Sequence, residues 1–194
     1  MFIPRYTISD CLLANIKRIN SLVIELNNRR FPNVVLVELE KIARAVSTYA
    51  STSIEGNPLP LTEVKKILKS RPTHVRDSEK EVLNYNRALE DLNQKLKKNK
   101  TRLSLDLVLT IQKQVIEGFL SKSDTGKIRQ KPVVVNDPIK RKVVYLPPDA
   151  KDVKDLLINL IDFVSSGLEK IDPLILAGIF HKQMVIIHPF IDGN

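Results

Sequence analysis

The sequence contains little sulfur and few aromatic side chains. It has one cysteine, Cys11, no tryptophan and only 5% aromatic residues among 194 positions. A single cysteine excludes an internal disulfide framework, and its place in an apolar helical stretch predicts a buried structural thiol. The shortage of aromatic rings disfavours sequence-specific binding of single-stranded nucleic acid, which depends on stacking of bases on such rings.

A long hydrophobic run and a secretory signal are also missing. No apolar stretch approaches the roughly 20 residues that a membrane-spanning helix needs, and the start of the chain, Met1 to Arg5, does not begin a signal peptide. The cytoplasm is therefore the expected location, and no membrane partner is expected. With 43% hydrophobic and 27% charged residues, the composition is typical of a globular domain with or without a helical extension.

The net charge of +9 is concentrated in one segment. Residues 91–142 contain thirteen Lys or Arg residues against five Asp or Glu residues, a local balance of +8. Such a segment is suited to nucleic acid, nucleotide phosphates or an acidic protein, whereas the alternative interpretation is a solvated helix end. The basic residues that cluster at the expected turn are Lys95, Lys97, Lys98, Lys100 and Arg102.

Apolar residues recur at three- and four-residue steps through most of the chain, which predicts a mainly α-helical fold. The first such helix follows the capping candidates Thr7 and Ser9 and ends near Asn28. Pro173 suits the first turn of the last helix. The other predicted helices cover about 33–55, a short segment after Thr62, 78–97, 104–119 and 153–164, and the last covers 173–187.

One stretch departs from the helical pattern. The runs Pro132–Val135 and Val143–Leu146 are rich in β-branched residues, and the turn candidate Asn136–Pro138 lies between them. This arrangement predicts a short β-hairpin. Two consecutive prolines, Pro147 and Pro148, end it.

The last seven residues, His188-Pro-Phe-Ile-Asp-Gly-Asn194, place a base, a carboxylate and a turn in one short loop. A histidine titrates near neutral pH and can accept a proton from a hydroxyl, and a carboxylate four residues later can bind Mg²⁺. Gly193 and Asn194 can expose backbone N–H groups to an anion. The alternative is that His188 caps the preceding helix, which Pro189 cannot continue. The residues alone leave both interpretations open.

These seven residues resemble the signature of the Fic family, His-Pro-Phe-x-Asp/Glu-Gly-Asn-Gly/Lys-x-x-Arg. Other segments are similar to the family in the same order along the chain. Gly126-Lys-Ile-Arg129 resembles its Gly-x-aromatic-Arg segment, with Ile128 in place of the aromatic residue, and the hairpin at 133–146 resembles its flap. Upstream, Ser51-Thr-Ser-Ile-Glu55-Gly56 resembles the family's inhibitory motif, Ser/Thr-x-x-x-Glu-Gly/Asn.

The resemblance implies an all-α Fic-like fold with one hairpin, and transfer of AMP from ATP to a Tyr, Ser or Thr hydroxyl of a target protein. His188 is then the general base, and Asp192 holds Mg²⁺ against the α- and β-phosphates. Gly193 and Asn194 begin the backbone nest that binds ATP. The flap, about residues 133–146, binds the target protein as an added strand.

The resemblance also implies roles outside the signature. Glu55 would inhibit the enzyme by pairing with the signature arginine and displacing the γ-phosphate, and Ser51 would hydrogen-bond nearby to hold that helix. The alternative for Glu55 is a solvent-facing residue in a helix-terminating turn.

His181 lies two helical turns before His188. About 10 Å therefore separates the two histidines, too far for one shared zinc ion. His181 is instead expected in the core or as a residue that orients the loop.

The chain stops at Asn194, before the Gly or Lys and the Arg that end the signature. We expect a fragment or a shortened chain, whose Fic-like fold is incomplete at the C-terminus and whose transferase activity is nearly absent. A soft boundary is expected near Asn99-Lys100. It divides an N-terminal helical region, 1–100, which contains the inhibitory motif, from a truncated Fic core, 101–194.

Two alternatives to AMP transfer stay open. The first is a basic interaction or nucleic-acid-binding regulator without catalysis, and the second is a Fic relative that transfers UMP, phosphocholine or phosphate. The expected cofactors are ATP, as substrate, and Mg²⁺. The expected partners are a target protein, a second copy of the chain in a homodimer, and nucleic acid through regions outside this chain.

Overall fold

The computed structural model describes residues 2–70, 74–98, 101–137 and 142–194. Within these ranges the chain forms seven α-helices and one two-stranded hairpin, which confirms the prediction of a mainly helical fold with a short flap. None of the described helices combines the length and the apolar character that a membrane crossing requires. In chain order the elements are α1 Asp10–Asn28, α2 Asn33–Ile54, α3 Leu61–Lys69, α4 Asp77–Lys97, α5 Leu105–Val115, β1 Val135–Asp137, β2 Lys142–Tyr145, α6 Ala150–Gly167 and α7 Pro173–Ile187.

Several helix ends follow local signals in the sequence. The Ser9 side chain accepts a hydrogen bond at 3.2 Å from the amide of Leu12 and caps α1, as predicted. Helix α7 begins at Pro173, and the side chain of Asp172 accepts from the amide of Leu174 at 2.9 Å. Both helices therefore begin where their capping residues indicate.

Helix α5 ends at Val115, four residues before its predicted end at Phe119. Gly118 adopts a left-handed conformation with φ of 80°. The side chain of Asn84 on α4 donates to the carbonyls of Val115 and Glu117 at 3.1 and 2.9 Å. These carbonyls are satisfied by a side chain from a neighbouring helix, so the helix stops without leaving them unpaired.

The main core lies among α5, α6, α7 and the chain that follows α7. Two adjoining clusters contain its most buried side chains, and burying each of these contributes about 1.5–3 kcal/mol. Their members are Val108, Leu157, Ile161 and Phe190, and then Val153, Leu160, Val164 and Ile187. A separate cluster joins α3 and α4 through Leu59, Val64, Ile67 and Val82.

Helix α1 and the first half of α2 keep their apolar side chains at the surface. Ile16 is the buried residue of α1, and extensive packing of α1 against another described element is absent. Cys11 is exposed, so the prediction of a buried thiol is wrong. The apolar spacing does produce a helix, but most of its apolar side chains stay exposed in the described structure. The exposed residues include Leu12, Ile19, Val23 and Leu26 of α1 and Val35, Leu39, Ile42 and Val46 of α2.

The hairpin is short, and its strand β2 is exposed along its length. Tyr145 of β2 pairs with Val135, the first residue of β1. The predicted strand began three residues too early, at Pro132, which has no N–H for the ladder. The predicted turn residue Pro138 and the proposed boundary residues Asn99-Lys100 lie outside the described residues. The division into two regions therefore stays a prediction.

Candidate active site

The terminal loop begins at the end of α7 and is fixed in the core by its second and third residues. Phe190 is 2% exposed and packs with Val108 of α5 and Leu157 of α6, as expected for this residue. Pro189 is fully buried beside it. The carboxylate-bearing residue Asp192, by contrast, is exposed. The loop therefore has a rigid, buried base and a tip that is open to solvent.

His188 adopts the left-handed conformation, with φ of 49° and ψ of 63°. No other non-glycine residue in the described ranges has a positive φ, and this conformation costs an L-residue about 1–2 kcal/mol. The backbone N–H of His188 donates to the Met184 carbonyl at 2.9 Å and closes α7. The imidazole Nδ1 is buried and has no hydrogen-bond partner among the described residues. Strain of this kind is often found at functional sites.

Burial lowers the pKa of the His188 imidazole below its usual value near 6.5, and the positive charge of Arg129 lowers it further. The Val185 carbonyl and the carboxylates of Asp192 and Glu55 act in the opposite direction without cancelling this effect. The imidazole is therefore neutral at pH 7 and able to accept a proton. The contribution of Glu55 is the smallest of these influences.

Arg129 is the most buried charged residue near the loop, at 2% exposed. Its guanidinium lies at the C-terminal end of α7, where a positive charge is favourable. The preceding residue, Ile128, packs on both core clusters in place of the family's aromatic residue. The guanidinium donates to the carbonyls of Lys131, Pro148, Ile187 and His188, at 3.2, 2.6, 3.4 and 2.8 Å.

Gln112 of α5 connects the loop to the segment before the flap. It is 3% exposed; its Nε2 donates to the Asp192 carbonyl at 3.0 Å, and its Oε1 accepts from the Gly126 amide at 2.6 Å. The sequence analysis missed this residue. A signal was present, because Gln112 occupies a polar position between Val108 and Ile116 on an otherwise apolar helical stripe.

Asp192, Gly193 and Asn194 lie together at the loop tip. The Asn194 side chain closes the loop, since its Oδ1 accepts from the Phe190 amide at 2.7 Å and its Nδ2 donates to the Phe190 carbonyl at 3.1 Å. Gly193 has a φ of 71° and donates its N–H to the Asp192 carboxylate at 2.7 Å. An N–H and a carboxylate therefore meet at one exposed point, four residues from the imidazole-bearing residue His188.

The donors at this point fit a magnesium ion that is held mainly by nucleotide phosphates. Mg²⁺ is commonly bound through one or two carboxylates together with phosphate oxygens and water. Asp192 supplies one carboxylate, which is exposed and accepts its hydrogen bond from the adjacent backbone. Within the described ranges no group of three or more His, Cys, Asp or Glu residues forms a protein-only metal cage.

The segment that resembles an inhibitory motif occupies the end of α2. Glu55 is the exposed residue that ends the helix, and Gly56 follows it in a left-handed conformation with φ of 95°. Ser51, one turn earlier, accepts a hydrogen bond from the Tyr85 hydroxyl of α4 at 2.8 Å. The buried Asn57 side chain donates to a carbonyl and a carboxylate of α4, both at 2.8 Å. The segment that contains Glu55 is thus fixed to α4 on both sides.

His181 does not join the site. Its side chain is exposed and makes no hydrogen bond in the part of the chain that the structure describes, so the expected core or loop-orienting role is wrong. Leu176 marks the buried side of α7. Five residues of helix rotate His181 well away from that side, because a turn takes 3.6 residues.

Comparison with known proteins relates this geometry to one family. Residues 102–194 match the Fic/DOC family model. The chain is 27% identical to "Protein adenylyltransferase Fic" of Aedes aegypti over 94% of this chain and 39% of that protein. It is 30% identical to "Protein adenylyltransferase fic-1" of Caenorhabditis elegans over 75% of this chain and 28% of that protein. The chain thus spans well under half the length of these relatives.

Solved structures agree in fold. A Fic family protein from Desulfovibrio desulfuricans superposes with a TM-score of 0.73 over 99% of this chain and 56% of that chain, at 24% identity. A part of Fic-1 from C. elegans superposes with a TM-score of 0.71 over 92% of this chain and 51% of that chain, at 27% identity. Residues 102–194 therefore match the Fic/DOC family, and the described chain has the fold of solved Fic proteins.

Proposed function

We propose that the protein is an adenylyltransferase that moves AMP from ATP to a hydroxyl of a target protein. Two of its relatives have the name protein adenylyltransferase. The observation that supports the proposal most strongly is the His188 imidazole, which is half-buried, has a lowered pKa and lies on the same short loop as the exposed Asp192 carboxylate. A neutral base and a carboxylate for a phosphate-bound cation are what this transfer requires.

In the proposed reaction His188 accepts the proton of the target hydroxyl. The hydroxyl oxygen then forms a bond to the α-phosphorus of ATP, and the bond from that phosphorus to the pyrophosphate oxygen breaks. Mg²⁺ at Asp192 would neutralise charge on the phosphates. The N–H of Gly193, which here donates to the Asp192 carboxylate, would be a donor for a phosphate oxygen. Asn194 acts through its side chain, which keeps the loop closed on Phe190.

The flap is the proposed docking site for the target. Residues of β2 are exposed, and the first strand offers only three residues of pairing, so an extended target segment would find free backbone groups. The Tyr145 hydroxyl donates to the Ile186 carbonyl of α7 at 2.9 Å, which anchors β2 two residues from His188. A target bound along β2 would therefore lie near the base. The homodimer and the nucleic-acid contacts stay predictions.

Glu55 is proposed as the inhibitory residue. Its carboxylate raises the pKa of His188, and the hydrogen bond between Ser51 and Tyr85 fixes its helix on α4. A negative charge near a phosphate site opposes the phosphates of ATP by like-charge repulsion. Glu55 is exposed at the end of an anchored helix, so its carboxylate is free to act in this way.

Binding of ATP with Mg²⁺ tests the nucleotide site. We expect calorimetry to detect binding that requires Mg²⁺ and that weakens by about tenfold or more in Asp192→Ala, because the carboxylate contacts the cation directly. The matched control is Asp162→Ala, which removes an exposed carboxylate from α6. Equal weakening in both variants, or binding that does not depend on Mg²⁺, would contradict the assignment of Asp192.

A further inference from the structure

The side chain of Arg129 touches three separate parts of the chain. Lys131 lies just before β1, Pro148 lies just after β2, and Ile187 and His188 end α7. The residues before and after the flap therefore meet the catalytic loop at one buried guanidinium. Each of these contacts is a hydrogen bond to a backbone carbonyl, so they fix the path of the chain itself and not only the position of side chains.

Two contacts with the loop reach consecutive carbonyls, one before and one after the α-carbon of Pro189. The Nε of Arg129 donates to the His188 carbonyl at 2.8 Å, and the backbone N–H of Arg129 donates to the Pro189 carbonyl at 2.9 Å. His188 is the residue with the left-handed backbone. Arg129 therefore fixes the chain that follows His188. The hydrogen bond from the His188 N–H to the Met184 carbonyl fixes the chain that precedes it.

An arginine is suited to this position for a geometric reason. Its guanidinium is planar and presents five donors in a fixed fork, so that it can serve acceptors from several directions at once. Lysine retains the charge but offers a single nitrogen, which cannot reach carbonyls that converge from three segments. Hydrogen bonds from a charged donor are also stronger than neutral ones. A 2% exposed arginine without all of its acceptors would be unfavourable.

We propose that Arg129 is a positioning residue that holds the base of the flap and the His188 loop together as one unit. The role rests on the proposed function, in which the flap presents the target hydroxyl and His188 accepts its proton. Transfer is sensitive to small errors in such geometry, and a displacement of about 1 Å can reduce a rate about 100-fold. Because the base of the flap and the His188 loop contact the same side chain, the distance between the target hydroxyl and the imidazole stays constant.

Amide hydrogen exchange on the 194-residue chain tests whether Arg129 connects the flap to the His188 loop. Neither ATP nor a target is needed. In Arg129→Lys we expect exchange to become about tenfold faster both in β2 and at the loop amides of His188 and Phe190, because the charged hydrogen bonds between these parts are lost. The amides of α3 belong to a different cluster and should change less than about twofold. The matched control is Tyr145→Phe, which removes the other bond from flap to α7 and should accelerate exchange in β2 alone.

Faster exchange in only one of the two segments, or an equal rise in α3, would overturn the proposal. In the first case Arg129 would not join the two parts, and in the second it would only stabilise the fold. Because neither ATP nor a target is present, these outcomes are independent of whether the protein transfers AMP.

The imidazole resonances provide a readout that a purely structural arginine would not move. The charged groups that act on His188 are Arg129, Asp192 and Glu55, and burial is the largest influence on its pKa. In Arg129→Lys the charge is retained but the loop loosens, so the pKa of His188 should rise towards its usual value near 6.5. His188→Ala assigns the resonance. An unchanged titration midpoint in Arg129→Lys would contradict a positioning role.

Discussion

Two helix ends carry a candidate functional residue, and they make their left-handed turns differently. At the end of α2 the left-handed residue is Gly56, and the functional candidate Glu55 precedes it in an ordinary conformation. At the end of α7 the left-handed residue is His188 itself. Glycine adopts this conformation at no steric cost, whereas histidine does not.

The difference indicates which of the two residues must be held in an exact direction. Glu55 is exposed, and a carboxylate can act on the phosphates by charge from a range of side-chain positions. His188 must direct one ring nitrogen at one hydroxyl. The left-handed backbone of His188 is unfavourable. The hydrogen bonds of Arg129 and the burial of Phe190 stabilise it. Changing each end should therefore have different consequences.

Among changes that leave His188 in place, the largest effect is expected when the charge at the α2 end is removed. We expect Glu55→Gly, in the complete encoded protein, to raise labelling of target protein with AMP by about tenfold, the scale of a typical coupling between sites. Glu55→Gln should produce a similar rise, because the proposed inhibition depends on charge and not on shape. Labelling that stays at the wild-type level in both variants would remove Glu55 as the inhibitory residue.

If the left-handed backbone of His188 is strained, replacing this residue by glycine should give a more stable protein than replacing it by alanine. His188→Gly and His188→Ala both remove the imidazole, so the difference between them isolates the backbone. We expect the glycine variant to be more stable by about 1 kcal/mol in urea unfolding, since only alanine retains the left-handed cost. If alanine is equally or more stable, His188 is not held in the left-handed conformation in solution.

At the α2 end an effect of similar size is expected from Gly56→Ala. A Cβ at this position would meet no atom within 4 Å, so the change adds backbone strain without a clash. We expect a loss of about 1 kcal/mol in the free energy of unfolding. Gly178→Ala is the matched control, because its Cβ also meets nothing within 4 Å but its backbone is helical. It should stabilise the protein by about 0.5–1 kcal/mol, and destabilisation by both changes would contradict this account.

The smallest effect concerns pH. The pKa of His188 is lower in the folded chain than its unfolded value near 6.5. Between these two pKa values the unfolded chain binds more protons, so stability should fall as the pH drops through that window and be unaffected by His188 above it. The difference in unfolding free energy between wild type and His188→Ala, measured against pH, isolates this contribution. A difference that is constant below pH 6.5 would contradict the lowered pKa.

Local signals predicted the helices well but not which of their faces are covered. The start of α1 after Ser9 and the extent of α7 from Pro173 depend on capping residues and on proline, which act within a few residues. The environment of Cys11 and of His181 depends instead on whether another element packs there. Periodicity defines an apolar face without naming its partner, and both burial predictions failed for that reason.

In the candidate site, too, the sequence predicted local features but not the contacts between distant segments. The loop residues His188, Asp192, Gly193 and Asn194 were found because they are adjacent in sequence and form one motif. The contacts that fix them come from far along the chain, since 59 residues separate Arg129 from His188 and 80 separate Gln112 from Asp192. No local pattern specifies such pairs. The motif also did not predict that the side chain of Asn194 closes the loop.

Labelling of target protein with AMP tests the role of His188 most directly. The complete encoded protein is incubated with labelled ATP, Mg²⁺ and lysate, alongside His188→Ala and the control His181→Ala, which changes an exposed histidine two turns earlier on α7. We predict that His188→Ala lowers the rate of labelling by about 100-fold or more, while His181→Ala labels at the wild-type rate. Equal labelling by His188→Ala and the wild type would contradict the assignment of His188 as the base.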